Sequence, residues 1–246
     1  MERAAEVFVR GFAKTRSQTF PYVVERIDGL WRMGDDPSRR LHRRTCEWVA
    51  VGDDPHRVAA IVEARETDRY AVCMMLPTGT PDASLRDSMR QIGYRLLRTE
   101  AMFVHDLASL SLSSLDDCVQ RVMDDALAHQ LAQAAGRRLI LPHQIHEVPP
   151  NIRQYVARVT GSCVGWVSSV AVHEAAWCSN LYVMPAFRRR GLATALMMRM
   201  LIDDRDHGFA SSVLLASHAG AKLYPQLGYR QMGMLYLYRR ASLHSG

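Results

Sequence analysis

The sequence predicts an α/β chain, with a mixed central sheet flanked by helices in its second part and a smaller α/β half before it. Three observations point there. Short β-type runs alternate with stretches of helical period along the chain. Three consecutive β-type segments, Gln154–Thr160, Cys163–Val172 and Ala176–Val183, are joined by short turns, as in an antiparallel meander. Two short stretches also echo one another, Gln91-Ile92-Gly93-Tyr94-Arg95 and Gln226-Leu227-Gly228-Tyr229-Arg230. Each sets a glycine just past a helix and runs into an apolar strand, which suggests duplication of one α/β unit. The chain therefore divides near residue 110, into 1–109 and 110–246.

Taken in order, helical period covers 2–13 and 21–33, closed by the stop Gly34-Asp35-Asp36-Pro37. β-type runs follow at Glu47–Val51, Val58–Glu63 and Tyr70–Leu76, with turns at Gly52-Asp53-Asp54-Pro55 and Pro77-Thr78-Gly79. A helix fits 82–92, and a strand fits Arg95–His105. Serine-rich Ala108–Ser114 reads as a linker. Asp116–Ala135 then reads as one helix stopped by Gly136, and Pro142, Pro149 and Pro150 mark an irregular stretch. After the meander come a helix from about Gly191 to Arg205, a strand Ser211–Ala216, a helix Gly220–Leu227 and a last strand Arg230–Tyr238.

Composition narrows the function classes. A 246-residue chain with 48% hydrophobic and 23% charged residues is globular rather than disordered or fibrous. No apolar run approaches the roughly 18 residues that span a bilayer, and the N-terminus lacks a basic-then-apolar leader. The expectation is a soluble cytoplasmic protein with no membrane partner. Five cysteines, none in a C-x-x-C pair, read as buried free thiols, with no metal site implied. The net charge of +6 falls almost wholly after residue 107. It concentrates at Arg188-Arg189-Arg190, a local anion site rather than the stripe that nucleic acid would need. The cluster Arg39-Arg40-Leu41-His42-Arg43-Arg44 reads as a solvated turn.

The chemistry concentrates in a strand-loop-helix passage, Asn180 to Leu196. An apolar strand stops at Pro185, a basic loop follows, and Gly191 opens a helix whose buried stripe is Leu192, Ala195 and Leu196. Unpaired amides of the first helical turn, the positive end of the helix dipole and the arginines together make an anion site. A diphosphate suits it.

The run Arg188-x-x-Gly191-x-Ala193, after a strand ending Val183-x-Pro185, resembles a motif of the GCN5-related N-acetyltransferase (GNAT) family. Downstream, Leu223-Tyr224-Pro225-Gln226-Leu227-Gly228-Tyr229 resembles that family's helix after its fifth strand. The likeness covers about residues 115–240. It implies acetyl-CoA as co-substrate, with Arg188, Arg189, Arg190, Gly191, Leu192, Ala193 and Thr194 cradling the pyrophosphate. Leu181, Tyr182 and Val183 would line the pantetheine, and Ser217 stands where many relatives carry an asparagine on the CoA arm. Tyr224 would protonate the leaving thiolate. The strand Trp177–Val183 lacks the carboxylate that many relatives use as a base, so His173 and Glu174, in the turn before it, are the candidates for that role. His218 is a lesser candidate.

The first half lacks any Arg-x-x-Gly-x-Ala, so it is expected to be a degenerate acetyltransferase-like half without a cofactor site. The implied activity is acetyl transfer to an amine of unknown identity, with a small molecule preferred. A protein N-terminus or lysine as acceptor, and a non-catalytic acyl-CoA-binding regulator, are the alternatives. No metal and no nucleic acid are implied, and homodimerisation is left open.

Overall fold

The computed structural model of the chain describes residues 1–39, 43–111 and 116–241. The central part of the Arg39–Arg44 cluster and much of the Ala108–Ser114 linker lie outside the described residues. Helix α1 (Glu2–Arg16) is followed by strands β1 (Tyr22–Ile27), β2 (Leu30–Asp35) and β3 (Cys46–Val51), helix α2 (Pro55–Glu63) and β4 (Tyr70–Pro77). Then come α3 (Ala83–Gln91), β5 (Tyr94–Asp106), β6 (Val119–Arg121), α4 (Asp125–Ala135), α5 (Pro142–Ile145), β7 (Ile152–Val159), β8 (Ser162–Val172) and β9 (Ala175–Val183). Last are α6 (Leu192–Asp206), β10 (Ser211–Ala216), a 3₁₀ turn at Tyr224–Leu227, and β11 (Arg230–Arg240).

Four expectations are corrected. The expected helix at 21–33 is the β1–β2 hairpin, with Ile27 opposite Leu30 across Asp28-Gly29. Both turn residues have positive φ (49° and 86°), the conformation that an Asp-Gly pair supplies to a two-residue hairpin. The expected strand at Val58–Glu63 is helical. Asp54 caps α2 by accepting from the Arg57 N–H at 2.9 Å, and Pro55 sits in its first turn. The expected helix Asp116–Ala135 is split. Val119–Arg121 pairs with β7, and Asp124 caps the shorter α4 by accepting from the Leu127 N–H at 2.8 Å. The expected helix at Gly220–Leu227 contracts to turns and a 3₁₀ segment.

The chain forms two compact units. The first comprises 1–103, 215–221 and 231–246. Its strands run in the order β1-β2-β3-β4-β11-β5. β3 and β4 are parallel, Cys46 opposite Tyr70 through Val51 opposite Met75, because α2 carries the chain back between them. Trp48, Val72 and Met74 on one sheet face pack with Val58 and Val62 of α2 and with Leu85 and Met89 of α3. β4 is completed by the chain's last strand, Gly233 opposite Pro77 through Tyr238 opposite Val72, antiparallel.

The second unit comprises 104–214 and 222–230, with strand order β10-β9-β8-β7-β6. β7, β8 and β9 form the predicted antiparallel meander. On one face Leu127 and Leu131 of α4 pack with Leu139, Ile140, Val156 and Trp166. Helix α6 packs on β7, β8 and β9. Its buried stripe is Leu192, Leu196, Met197, Met200, Leu201 and Ile202.

Candidate active site

β9 and β10 are parallel, but their ladder covers only Ala175–Trp177 opposite Ser211–Val213. Beyond Trp177, β9 has no recorded ladder partner on that side among the described residues. On its other side, the pairing with β8 slips between Trp166 opposite Tyr182 and Ser168 opposite Ser179, so β9 carries one extra residue there. Asn180 stands in that bulge at φ 57°, a left-handed conformation that asparagine tolerates better than most residues. A bulge frees and re-aims backbone groups, here at Asn180 and Leu181, where the stretch Leu181–Val183 predicted to line the pantetheine begins.

The end of β9 feeds the basic loop. Arg188 turns back, its Nε donating to the Val183 carbonyl at 3.0 Å, with its guanidinium 5.8 Å from the Tyr182 ring centroid. Tyr182 in turn stacks on Trp166 at 4.8 Å. Arg189 (φ 63°) and Arg190 are exposed. Gly191 then takes φ 77° and precedes α6 with no side chain capping the helix. A β-carbon at Gly191 would meet nothing within 4 Å, so conformation rather than crowding calls for glycine. The first-turn amides of Leu192, Ala193 and Thr194 have no carbonyl one turn back to bind, and no side chain takes its place.

Tyr224 comes to the same unit from the other direction. Its 3₁₀ segment packs on α6, and its ring meets Tyr229 edge-on at 5.6 Å. Burial, with the Cys178 thiol of β9 as a smaller contributor, pushes its hydroxyl well above the ordinary phenol range. It therefore stays protonated at neutral pH. Gly228 closes the segment at φ 86°, where a β-carbon would fall 2.9 Å from His105 Nε2. Neighbouring Tyr229 is fixed by a 2.8 Å hydrogen bond between its hydroxyl and that of Ser212.

Two other predicted residues, His173 and Glu174, are not brought together with these. His173 and Glu174 occupy the β8–β9 turn, at the opposite end of β9 from the basic loop. Six residue steps at about 3.3 Å put Glu174 roughly 20 Å along the strand from the bulge at Asn180, beyond direct proton transfer there. Ser217 and His218 lie just past β10 in the first unit. The Ser217 carbonyl accepts from the N–H groups of Gly220 and Ala221, so the chain turns there. No cluster of three or more metal-type ligands occurs among the described residues. No helix is long and apolar enough to cross a membrane.

The family of acetyltransferase (GNAT) domains matches residues 150–231, a span from β7 to the start of β11 that includes the bulge, the basic loop, α6 and Tyr224. Residues 150–231 form a GNAT domain. The fold of the whole chain is also that of solved GNAT proteins. A GCN5-related N-acetyltransferase from Kribbella flavida superposes with a TM-score of 0.68 at 14% identity, over 99% of this chain and 96% of that one. A GCN5-related N-acetyltransferase-like protein from Streptococcus suis gives 0.55 at 15% identity, over 97% and 98%. One from Sphaerobacter thermophilus gives 0.55 at 17%, over 85% and 75%. No curated protein matches the sequence. The GNAT domain contributes one feature that sequence reasoning missed, the bulge at Asn180. Its only sequence signal is an asparagine inside an otherwise apolar strand.

Proposed function

We propose that the GNAT domain transfers an acetyl group from acetyl-CoA to the amine of a small molecule. One observation carries the reading: within one unit, β9 is bulged on one side and unpaired on the other, and it leads into a basic loop and an uncapped helix N-terminus. The donor set suits CoA. The amides of Leu192–Thr194 and the exposed Arg189 and Arg190 can hold a diphosphate, and Gly191 keeps the approach free of a side chain. Leu181 and Tyr182 offer backbone groups on the unpaired side of β9 to an amide-bearing arm, as a strand would.

The bound thioester supplies an activated acetyl group. An N–H of the bulged β9 backbone polarises its carbonyl, a dipole fixed before the reaction begins. The amine nitrogen forms the new C–N bond as the C–S bond breaks. Tyr224 Oη gives its proton to the departing sulfur, and the nitrogen sheds one proton, which balances it. No side chain of β9 is a carboxylate, so the amine arrives neutral or loses its proton to water. The first half lacks a corresponding cofactor site and serves as a degenerate partner.

Turnover of acetyl-CoA against a panel of small amines, with thiol release as the readout, tests this. Acetylation of at least one amine is expected. If CoA binds with no turnover on any amine or peptide, the domain is an acyl-CoA-binding regulator instead.

A further inference from the structure

The first unit holds a second concentration of positive charge, away from any motif used above. Thr45 just before β3, Thr67, Asp68 and Arg69 before β4, and Arg239 and Arg240 at the end of β11 wall a surface cleft of about 480 Å³. It lies at the amino ends of β3 and β4. The opposite end of β3 leads into the start of α2, which Asp54 already caps.

The arginines are held from behind. Arg69 takes φ 51°, a left-handed conformation costly for a residue with a β-carbon. Its carbonyl accepts from the Cys46 N–H at 2.9 Å, and its Nη1 donates to the Arg43 carbonyl at 3.2 Å. Arg239 Nη2 donates to Thr45 Oγ1 at 3.3 Å, and Arg240 is clamped by Glu63. A guanidinium carries five N–H donors in a planar fork, so one contact apiece leaves most of those of Arg69 and Arg239 for another acceptor. Asp68 in the wall and Glu63 behind Arg240 offset part of the charge, and the lining remains net positive.

We propose that this cleft binds a small phosphate-bearing anion, its phosphate gripped between the forks of Arg69 and Arg239 with the Thr45 and Thr67 hydroxyls beside it. Its volume falls within the range of about 300–1,000 Å³ typical of small-molecule sites, which leaves room for a body attached to the phosphate. The surplus of donors over acceptors favours a phosphate, with its three terminal oxygens, over a lone carboxylate.

Calorimetry on the full chain, with inorganic pyrophosphate as the probe, tests the proposal. Pyrophosphate can also enter the basic loop, so heat that is lost in the cleft variants but kept in Arg190→Ala reports the cleft. Pyrophosphate affinity should fall at least tenfold in Arg239→Ala and in Arg69→Asn, the latter keeping a residue that tolerates positive φ. Circular dichroism should show both variants folded. Absence of saturable heat, or unchanged affinity in both variants, overturns the proposal. Equal affinity for succinate overturns the phosphate assignment. If CoA itself fails to bind, the reading of the GNAT domain fails while the two arginine variants still judge the cleft.

Discussion

At the scale of single residues, the proposed function rests most on Tyr224 and Gly191. A phenol is neutral at physiological pH at its ordinary pKa, and burial pushes that of Tyr224 further up, so its hydroxyl has a proton to give. Tyr224→Phe keeps the ring and its edge contact with Tyr229. The turnover number should fall about 10²–10⁴-fold, as for loss of a general acid, with the acceptor KM nearly unchanged. Steady-state kinetics under conditions where chemistry limits the rate will show it. A wild-type rate would make Tyr224 a packing residue. Gly191 acts through conformation. Its φ of 77° is barred to β-branched residues although its surroundings are open. Gly191→Val should therefore shift the loop and weaken CoA binding tenfold or more, about 1.4 kcal/mol. The site is exposed, so the fold should survive. Titration calorimetry on the folded variant checks this, and an unchanged affinity would remove the loop from the cofactor site.

At the scale of elements, α6 is anchored at the end away from its uncapped first-turn amides by a buried polar cluster. Arg153 of β7 donates to Asp204 of α6 at 2.7 Å and to the Ser169 hydroxyl of β8 at 2.7 Å. Ser169 in turn donates to Asp204 at 2.6 Å. All three are essentially inaccessible to solvent. Burial pushes the Asp204 carboxyl up to about 6, with Arg153 and Ser169 pulling against it. A carboxyl raised in the folded state stabilises the fold most below its unfolded value, near 4. That contribution fades as pH rises toward 6. Denaturant midpoints of the wild type should thus lose ground between about pH 4 and 6 relative to Asp204→Asn, which cannot titrate. Parallel curves would show that Asp204 does not change charge there. Arg153→Met leaves a buried carboxylate without its cation and should cost about 3–5 kcal/mol at neutral pH.

Elements also show what a sequence reveals and what it hides. The β7–β9 meander and α6 were legible, because alternation and helical period are written directly in their apolar residues. The β1–β2 hairpin was not, since Val23, Val24 and Ile27 fit a helical stripe until the Asp28-Gly29 turn is given its weight. α2 was misread because Val58, Ile61 and Val62 look β-branched and short, whereas the Asp54 cap and Pro55 decide the matter. Of the site, the basic loop and Tyr224 were legible as motifs. His173 and Glu174 adjoin β9 in sequence, but the structure sets them at the end of that strand away from the basic loop. The Asn180 bulge is a matter of register between strands, at which the asparagine only hints.

At the scale of the whole molecule, the two echoes end alike, with Gly93 at φ 84° and Gly228 at φ 86°, each leading into a strand. What separates the two units is the helix that follows the first parallel strand. In the second unit α6 starts with open amides behind Gly191, while in the first α2 starts with Asp53 and Asp54. Asp54 accepts from the Arg57 amide at 2.9 Å, Asp53 accepts from the Val51 amide at 3.3 Å, and Pro55 removes a further donor. A carboxylate already fills the place where a phosphate would sit, and its charge repels another anion. One CoA per chain is therefore expected, with the first unit contributing none. Calorimetric stoichiometry with CoA on the intact chain is the measurement. The intact chain matters because β4 is completed by β11, so cutting near residue 110 would strip the first unit of a strand. The predicted value is one; in Gly191→Val the affinity should fall while the single site remains, and Asp54→Ala should change neither. A stoichiometry of two, or loss of binding on substitution at Asp54 in a folded protein, would assign a cofactor to the first unit and reverse the division of labour between the two.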